Sequence, residues 1–383
     1  MCHPDSAAAA RLIIDLDAIA SNWAYLGARA ATAQCAAVVK ADAYGLGMVP
    51  VARRLHRAGC RHFFVALLEE GLQLRASIPG NSHIYVLNGL VPGSEGLCAR
   101  AGLIPVLNSL EQLAAWRDEA GRQGRRLPAV LQSDTGMRRL GLAERDWQSL
   151  VKLPALTAGL DIRLVMSHLV SAELPDAPIN AEQLQQFRAF RAAWPSARAS
   201  LSNSSGIFLG SEFHFDLLRP GAAMYGIAPR SDFPNPLRPV VRLQARMLQC
   251  REIAEGDRVG YNHTWRAERA SRIATLSVGY ADGYPRTLSN RDQLSIQGHR
   301  VSLVGRVSMD TLTVDVSQVP DSLLAPGAWF DLLDPDRDIN ALATQAEASA
   351  YELLTRLGRR FQRTHLGQSE AAAGEGASGV VCV

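Results

Sequence analysis

The feature of this sequence that most constrains its fold is the alternation of short apolar runs with amphipathic stretches over the first two-thirds of the chain. Runs typical of β-strands occupy residues 36–40, 62–66, 83–87, 104–107, 128–133, 162–167, 200–203 and, more weakly, 215–219. Most of them precede a helical pattern, such as EEGLQLRAS after the second run and SLEQLAAWRDEA after the fourth. Strands that alternate with helices form parallel sheets. Eight such units predict a (β/α)8 barrel, and a doubly wound open sheet is the alternative.

The alternation ends at a proline-rich segment that predicts a domain boundary. Three prolines lie within residues 234–239, and proline removes a backbone donor and disfavours helix. The sequence beyond it has β-like runs and one clear helical pattern, at residues 341–358. We therefore predict an α/β chain with an N-terminal (β/α)8 barrel over residues 10–233 and a C-terminal, mostly β domain over residues 234–383. The apolar run near residues 11–16 is a candidate strand of the second domain.

Composition and charge exclude several classes of protein. Hydrophobic residues make up 47% of the 383, which is enough for a full core and excludes disorder over most of the chain. The 40 basic and 37 acidic side chains lack the clustered basic excess of nucleic-acid-binding proteins. No secretory signal or membrane-spanning run is visible, and the six cysteines are scattered without metal-binding spacing. We expect a cytoplasmic protein with no metal and with no nucleic-acid or membrane partner.

Polar residues at the predicted strand ends are candidates for chemistry, because a barrel places its active site at the carboxyl ends of its strands. Lys40 ends the first strand, where loss of hydration would lower its pKa and make it a better nucleophile; the alternative is a structural ion pair. Arg139, after the fifth strand, could bind a carboxylate or lie in a surface turn. His168, after the sixth, could be functional or a satisfied core residue.

The last two strand ends have the features of an anion site. LSNSSG (201–206) supplies hydroxyls, an amide and backbone N–H groups that could hold a phosphate. LLRPGAAMYG (217–226) places Arg219 before a Pro-Gly pair, and the backbone around Gly221 could approach an anion closely. Each signal is weak alone, but the barrel predicts that all of them converge.

Three segments of the second domain are rich in tyrosine and glycine. They are VGYNHTW (259–265), VGYADGYPR (278–286) and VGRVSMD (304–310). Their tyrosines could serve only packing, or they could donate protons in acid–base catalysis.

Taken together, these motifs resemble those of the bacterial alanine racemase family, pyridoxal-phosphate enzymes with an N-terminal barrel and a C-terminal β domain. The resemblance runs from about residue 12 to about residue 362. It rests on VVKADAYGLG, SDTGMRRLG, SHL, NSSG, RPGAAMYG, VGY, GYADGYPR, VGRVSMD and YELLTRLG, which occur in the family's order. It implies two-base interconversion of L-alanine and D-alanine, which supplies D-alanine for peptidoglycan. It also implies a head-to-tail homodimer whose sites are built from both chains.

The resemblance implies a role for each candidate residue. Lys40 matches the lysine that binds the cofactor covalently and acts as one base, and Tyr261 matches the second base, which the partner subunit supplies. The cofactor-binding positions are Lys40, Tyr44, His168, Asn203, Ser204, Arg219, Gly221, Ala222 and Tyr351. The substrate-binding positions are Arg139 and Met309, and those of the entry corridor are Tyr280 and Arg306.

Two of these positions concern the cofactor ring. Arg219 matches the arginine that faces the pyridine nitrogen, and His168 matches the histidine that links this arginine to the catalytic tyrosine. An arginine that stays charged disfavours protonation of the ring. An unprotonated ring accepts electrons less readily, which should limit side reactions such as transamination.

Other functions of the same fold remain as alternatives. A racemase of another amino acid, or of a broader set, would share these motifs. A pyridoxal-phosphate decarboxylase of basic amino acids typically carries Glu-Pro-Gly where this chain has Arg-Pro-Gly at 219–221. A small, non-enzymatic pyridoxal-phosphate-binding protein would lack the second domain.

The chain departs from the family pattern at three places. Asn262 and His263 follow the VGY motif, where two small residues are common. Asp42 and Leu46 change the usual KANAYGHG to KADAYGLG. Gln132 stands where many relatives carry a carbamylated lysine, so Arg139 must be oriented by the Gln132 carbonyl, a nearby carboxylate or a bound anion.

Overall fold

The computed structural model describes residues 7–367. Residues 1–6 and 368–383, which include Cys2 and Cys382, lie outside the described residues. No helix within 7–367 is long and apolar enough to cross a membrane.

The N-terminal part of the chain is a barrel of parallel strands. The first strand, β1 (Ala10–Asp15), lies outside the barrel and leads into its first helix. The strands that follow are β2 (Gln34–Cys35), β3 (Ala37–Val38), β4 (His62–Val65), β5 (His83–Val86), β6 (Ile104–Leu107), β7 (Leu127–Gln132), β8 (Leu160–Met166), β9 (Arg198–Ser200) and β10 (Leu217–Leu218). Strands β3 to β9 pair in parallel in chain order, and β10 pairs in parallel with β2.

The ring closes where the last strand meets the first. Ala36, between β2 and β3, donates its N–H to the carbonyl of Leu218 (2.9 Å), and Asp216 donates to the carbonyl of Ala199 in β9 (3.0 Å). These bonds join β10 to both neighbours, so the predicted barrel fold is confirmed. The first strand is split and ends at Val38, and β9 ends before the predicted 200–203 run does.

The barrel helices alternate with the strands. They are α1 (Leu16–Ala28), α2 (Met48–Arg57), α3 (Leu68–Arg75), α4 (Glu95–Arg100), α5 (Leu110–Gln123), α6 (Glu144–Lys152) and α7 (Pro178–Ala192). In α5, the Ser109 side chain caps the first turn, and Gly124 ends the helix with φ 60°. The buried Leu113, Trp116 and Ala120 recur at helical spacing, so one face of the helix packs on the strands.

The C-terminal part is a mixed, mainly antiparallel sheet. Its strands and the small hairpin β12–β13 are β11 (Val241–Ile253), β12 (Arg258–Val259), β13 (Trp265–Arg266), β14 (Ser271–Leu276), β15 (Gln293–Ile296), β16 (His299–Leu303), β17 (Leu312–Asp315), β18 (Trp329–Leu333) and β19 (Gln362–Leu366). The order in the large sheet is β14-β17-β16-β15-β18-β11-β1-β19. The N-terminal β1 pairs there with β11 and β19, so the chain enters the barrel from this sheet.

The single helix predicted at 341–358 is wrong, because the structure has two helices there. These are α8 (Ile339–Ala346) and α9 (Ala350–Arg356). Glu347 adopts a left-handed conformation (φ 54°) and ends α8, and its N–H bonds to the carbonyl of Thr344. The break places α9 against the top of the barrel.

Candidate active site

A cavity of about 890 Å³ opens at the carboxyl ends of the barrel strands. The predicted site residues that line it are Lys40, Tyr44, Arg139, His168, Asn203, Ser204, Arg219, Gly221, Ala222 and Tyr351. The structure therefore brings the strand-end motifs of the barrel together. Tyr351 reaches the cavity from α9, so the C-terminal part of the chain also contributes to it.

Lys40 begins a left-handed turn that follows β3. Residues 41–44 all have φ between 52° and 56°, although such a conformation costs roughly 1–2 kcal/mol for each residue that is not glycine. The Asp42 carboxylate accepts the N–H of Met48 (2.7 Å) and so ties the turn to α2. This contact gives the departure at Asp42 a structural role. The turn returns the Tyr44 ring to the cavity, 4.9 Å from the ring of Tyr225.

The Lys40 amine lies in an environment that favours its neutral form. Burial lowers its pKa, the nearby charge of Arg139 lowers it further, and Glu70 opposes both effects. The chain has only one other lysine, Lys152, which is exposed at the end of α6. Lys40 is therefore the one lysine of this protein that is placed to act as a nucleophile and as a base.

Arg219 is buried without a carboxylate partner among the described residues. Its guanidinium donates to the Ser200 hydroxyl (2.5 Å) and to the Ser167 carbonyl (2.6 Å), and the side chain is nearly inaccessible. Burial lowers its pKa, but a delocalised guanidinium stays charged at neutral pH. The arrangement holds an uncompensated positive charge at the floor of the cavity.

His168 lies close to this charge. Burial lowers the pKa of His168 to about 3, and the positive charges of Arg219, Arg139 and Lys40 add to the effect. The imidazole is therefore neutral at physiological pH and can both donate and accept a hydrogen bond. Gln183 donates to its backbone carbonyl (2.9 Å) and fixes the strand end that carries it.

Ser204 and the loop after β10 form an anion cradle. The Ser204 hydroxyl accepts the N–H groups of Gly221 (3.0 Å) and Ala223 (3.2 Å). The N–H of Ala222 between them has no acceptor within residues 7–367. A free amide beside a hydroxyl at one loop suits the oxygens of a phosphate. Asn203 supports the cradle, because its side chain accepts the N–H of Gly206 (2.9 Å).

Two tyrosine hydroxyls flank the cradle. The rings of Tyr44 and Tyr351 lie 6.4 Å apart, and burial raises the pKa of both phenols, so they remain hydrogen-bond donors. At Gly45, an added Cβ would lie 2.7 Å from the Leu354 carbonyl of α9. This close packing fixes α9, and hence Tyr351, against the turn that carries Tyr44.

Arg139 lines the cavity from the loop after β7, but no hydrogen bond joins it to Gln132. The Gln132 amide instead donates to the carbonyl of Leu140 (3.1 Å). Gln132 thus holds the residue next to Arg139 and not its guanidinium. Of the three candidates for orienting Arg139, the Gln132 carbonyl forms no hydrogen bond with it among the described residues, and Gln132 acts on the backbone beside it.

Four predicted site residues do not line the cavity. Tyr261 and Tyr280 begin short 3-10 helices within connecting segments of the C-terminal part, and Arg306 and Met309 lie in a loop there. Tyr261 is 67% exposed and Met309 is 53% exposed, which is unusual for apolar side chains of this size.

These loops contact one another. Tyr280 donates its N–H to the Ser308 carbonyl (3.0 Å), beside Met309. A Cβ on Gly260, which precedes Tyr261, would lie 3.2 Å from the backbone nitrogen of Arg306. The four residues therefore belong to one cluster of loops, separate from the cavity of the same chain.

The sequence analysis missed Glu70, whose carboxylate accepts the N–H of Ala41 (2.7 Å), next to Lys40. Glu70 follows β4 and so lies at a strand end like the other candidates. A glutamate in the first turn of a helix also commonly serves only as a cap, so the sequence did not identify Glu70 as a site residue.

Comparison with known proteins supports the family resemblance over most of the chain. The model "Alanine racemase, N-terminal domain" matches residues 14–229, and "Alanine racemase, C-terminal domain" matches residues 240–365. An alanine racemase of Rhodospirillum rubrum is 49% identical over 97% of this chain and 100% of its own length. A catabolic alanine racemase of Agrobacterium fabrum is 46% identical over 96% of this chain and 95% of its own.

A solved structure agrees with these matches. Alanine racemase from Bartonella henselae, with covalently bound pyridoxal phosphate, superposes with a TM-score of 0.88 at 41% identity and covers 94% of this chain and 100% of its own. The family models and the relatives span the barrel, the cavity and the C-terminal sheet. The chain belongs to the alanine racemase family.

Proposed function

We propose that this protein interconverts L-alanine and D-alanine with pyridoxal phosphate as its cofactor. The observation that carries the proposal is a single cavity that joins an activated lysine, an unpaired buried arginine and an anion cradle. When bound, the cofactor makes the Cα proton of an amino acid acidic by delocalising negative charge into its ring.

The residues present fit this cofactor. Lys40 would hold its aldehyde carbon, and Arg219 would face its ring nitrogen. The phosphate would lie against Tyr44, Ser204, Gly221, Ala222 and Tyr351. The support for this placement is the free amide of Ala222 and the close approach of the Tyr44 hydroxyl to the Gly221 backbone, which put two hydrogen-bond donors at this loop.

The charge of Arg219 favours racemisation over related reactions. A group that stays cationic beside the ring nitrogen disfavours protonation there. Decarboxylases of this fold use an acidic group at that point, and no carboxylate contacts Arg219 among the described residues. A bound ring without that proton would hold negative charge less strongly, which would favour return of a proton to Cα.

Racemisation needs one base on each face of Cα, and we assign the second to Tyr261 of the partner subunit. Lys40 serves one face. Tyr261 is exposed and remote from the cavity of its own chain, which is expected if it enters the cavity of a second chain in a head-to-tail homodimer. Met309, Tyr280 and Arg306 would arrive with it, because their loops contact its own.

The remaining roles follow from this assembly. Arg139 and the backbone N–H of Met309 would bind the substrate carboxylate, and Tyr280 and Arg306 would line its entry route. The barrel, which follows β1 within residues 10–233, would supply the cofactor site. The C-terminal domain, at 234–383, supplies Tyr351 within its own chain and the second base to the partner. The D-alanine formed would be used in peptidoglycan.

Chiral analysis of an amino-acid panel incubated with the purified holoenzyme tests this function. L-alanine and D-alanine should each give an equimolar mixture, because a racemase catalyses both directions. Comparable rates with larger amino acids would support the broader racemase. Release of carbon dioxide and an amine would instead favour the decarboxylase and contradict the proposal.

A further inference from the structure

Glu70 joins two neighbouring strand ends at the site. It lies in the first turn of α3, and one carboxylate oxygen accepts the N–H of Ala41 (2.7 Å). The other oxygen accepts the N–H groups of Ala66 (2.7 Å) and Leu67 (3.1 Å), which follow β4. A single carboxylate therefore binds three backbone amides and connects the turn after β3 to the end of the adjacent strand.

The backbone that Glu70 holds is strained. Left-handed residues that are not glycine persist only where the surrounding structure determines their conformation strongly. The far end of the turn is held by the Asp42–Met48 bond and by Arg363, which donates to the Gly45 carbonyl (3.1 Å). Glu70 binds its near end, at the peptide directly after Lys40. Among the described residues, the Ala41 amide has no other acceptor.

Glu70 also affects the charge of the lysine. The titratable groups that line the cavity with Lys40 are Tyr44, Arg139, His168, Glu173, Arg219, Tyr351 and Glu352. Burial and Arg139 lower the pKa of Lys40, and Glu70 raises it. The carboxylate therefore keeps the amine from losing its proton too readily.

We propose that Glu70 is a positioning residue for Lys40, which fixes the Lys40–Ala41 peptide so that the amine is directed into the cavity. This inference rests on the proposed function of Lys40 as cofactor anchor and base. A carboxylate has lone pairs for all three amides. Glutamine offers only one acceptor atom, and its NH2 group would face backbone N–H donors.

The presence of only two lysines makes a direct test possible. In cofactor-free protein, the pH dependence of acetylation by acetic anhydride, followed by peptide mass spectrometry, reports the titration of Lys40, with the exposed Lys152 as internal reference. In Glu70→Gln the Lys40 midpoint should move to lower pH, because a charge that raises the pKa is lost. If the residue only supported the fold, loosening of the turn would hydrate the amine and move the midpoint upward.

Cofactor binding gives a second readout. In Glu70→Gln, a backbone amide that donated to a charged group loses that acceptor. We expect pyridoxal phosphate binding to weaken by roughly tenfold as a result. Hydrogen exchange of the peptide that contains residues 40–46 should also become faster. The matched control is Glu69→Gln, which makes the same change at the adjacent, exposed position of the same helical turn, and it should alter none of the three measurements.

A second variant separates positioning from charge. Glu70→Asp keeps the charge but shortens the reach, so it should weaken cofactor binding without moving the Lys40 midpoint to lower pH. An unchanged or raised Lys40 midpoint in Glu70→Gln, or unchanged cofactor affinity in both variants, would overturn the inference. Failure of the proposed function would look different, since borohydride would then fix the cofactor to a residue other than Lys40 while the acetylation result still stood.

Discussion

The Tyr44 hydroxyl lies 2.5 Å from the point that a Cβ on Gly221 would occupy. The phenol, the glycine backbone and the free amide of Ala222 thus lie close together, and Tyr44 leaves no room there for a side chain at position 221. The close approach itself requires a glycine at this position.

Gly221→Ala should therefore weaken binding of pyridoxal phosphate with little loss of fold. The added methyl group must displace the Tyr44 ring and narrow the cradle, so we expect at least a tenfold loss of affinity, equivalent to about 1.4 kcal/mol. Spectroscopic titration of the cofactor-free protein measures it. Gly80→Ala is the control, because nothing lies within 4 Å of its added Cβ. Equal affinity in both variants would place the phosphate elsewhere.

Lys40→Ala should abolish the visible absorbance of the bound cofactor and nearly all racemisation. The reason is that Lys152 is exposed on the outer helix α6 and cannot replace it. Borohydride reduction followed by peptide mapping locates the covalent link in the wild type. Lys152→Ala should keep both absorbance and activity, and a reducible link in Lys40→Ala would mean that the anchor is misassigned.

Tyr261→Phe should impair exchange of the Cα proton unequally for the two enantiomers. If each base serves one face and Lys40 serves D-alanine, as the family resemblance implies, exchange from D-alanine should survive better in deuterated water. Tyr280→Phe is the control and should affect proton transfer less. Equal losses from both enantiomers would count against two bases.

Mixing two inactive variants tests whether the site is shared. If Tyr261 acts in the partner subunit, hybrid dimers of Lys40→Ala and Tyr261→Phe contain one intact site. Random reassociation at equal amounts should then restore about one quarter of wild-type activity, because half of the dimers are hybrids with one working site of two. No recovery after verified subunit exchange would place both bases in one chain.

Arg219→Glu should shift the reaction toward transamination. A carboxylate beside the ring nitrogen would let that nitrogen keep a proton. The ring of the bound cofactor would then stabilise negative charge better, and return of a proton to Cα should be slower. Formation of pyruvate from alanine, measured against racemisation, should rise. The buried position predicts some loss of stability, so a thermal melt accompanies the assay. An unchanged product ratio in folded protein would show that Arg219 is not the partner of the ring nitrogen.

The barrel and the convergence of its strand-end motifs could be predicted because both follow from local periodicity and from the geometry of parallel strands. The left-handed turn could not. Nothing in the sequence KADAYG signals four residues with positive φ, and the contacts that hold them, such as that from Arg363, come from distant parts of the chain. The break at Glu347 was missed for a similar reason, since a left-handed end without glycine leaves no local mark.

The sequence could not decide what orients Arg139, because sequence spacing gives proximity but not the direction of a side chain. Gln132 donates to the carbonyl of Leu140 and fixes the backbone beside Arg139. The amide still lines the cavity, so it lies near the substrate carboxylate that Arg139 would bind. Its effect on binding should therefore be indirect and modest.

Gln132→Asn should raise KM more than it lowers kcat. The side chain is one methylene shorter and loses its bond to the Leu140 carbonyl, so the Arg139 loop loosens and binds the carboxylate less well, while Lys40 and the cofactor cradle are unchanged. Loss of one neutral hydrogen bond is worth roughly 0.5–1.5 kcal/mol, which corresponds to a few-fold to about tenfold change in KM. Gln186→Asn, at an exposed position of α7, is the matched control. Glutamine cannot be carbamylated, so activity should also be indifferent to added bicarbonate. A bicarbonate requirement, or a Gln132→Asn enzyme with unaltered KM, would show that Arg139 is oriented by another group.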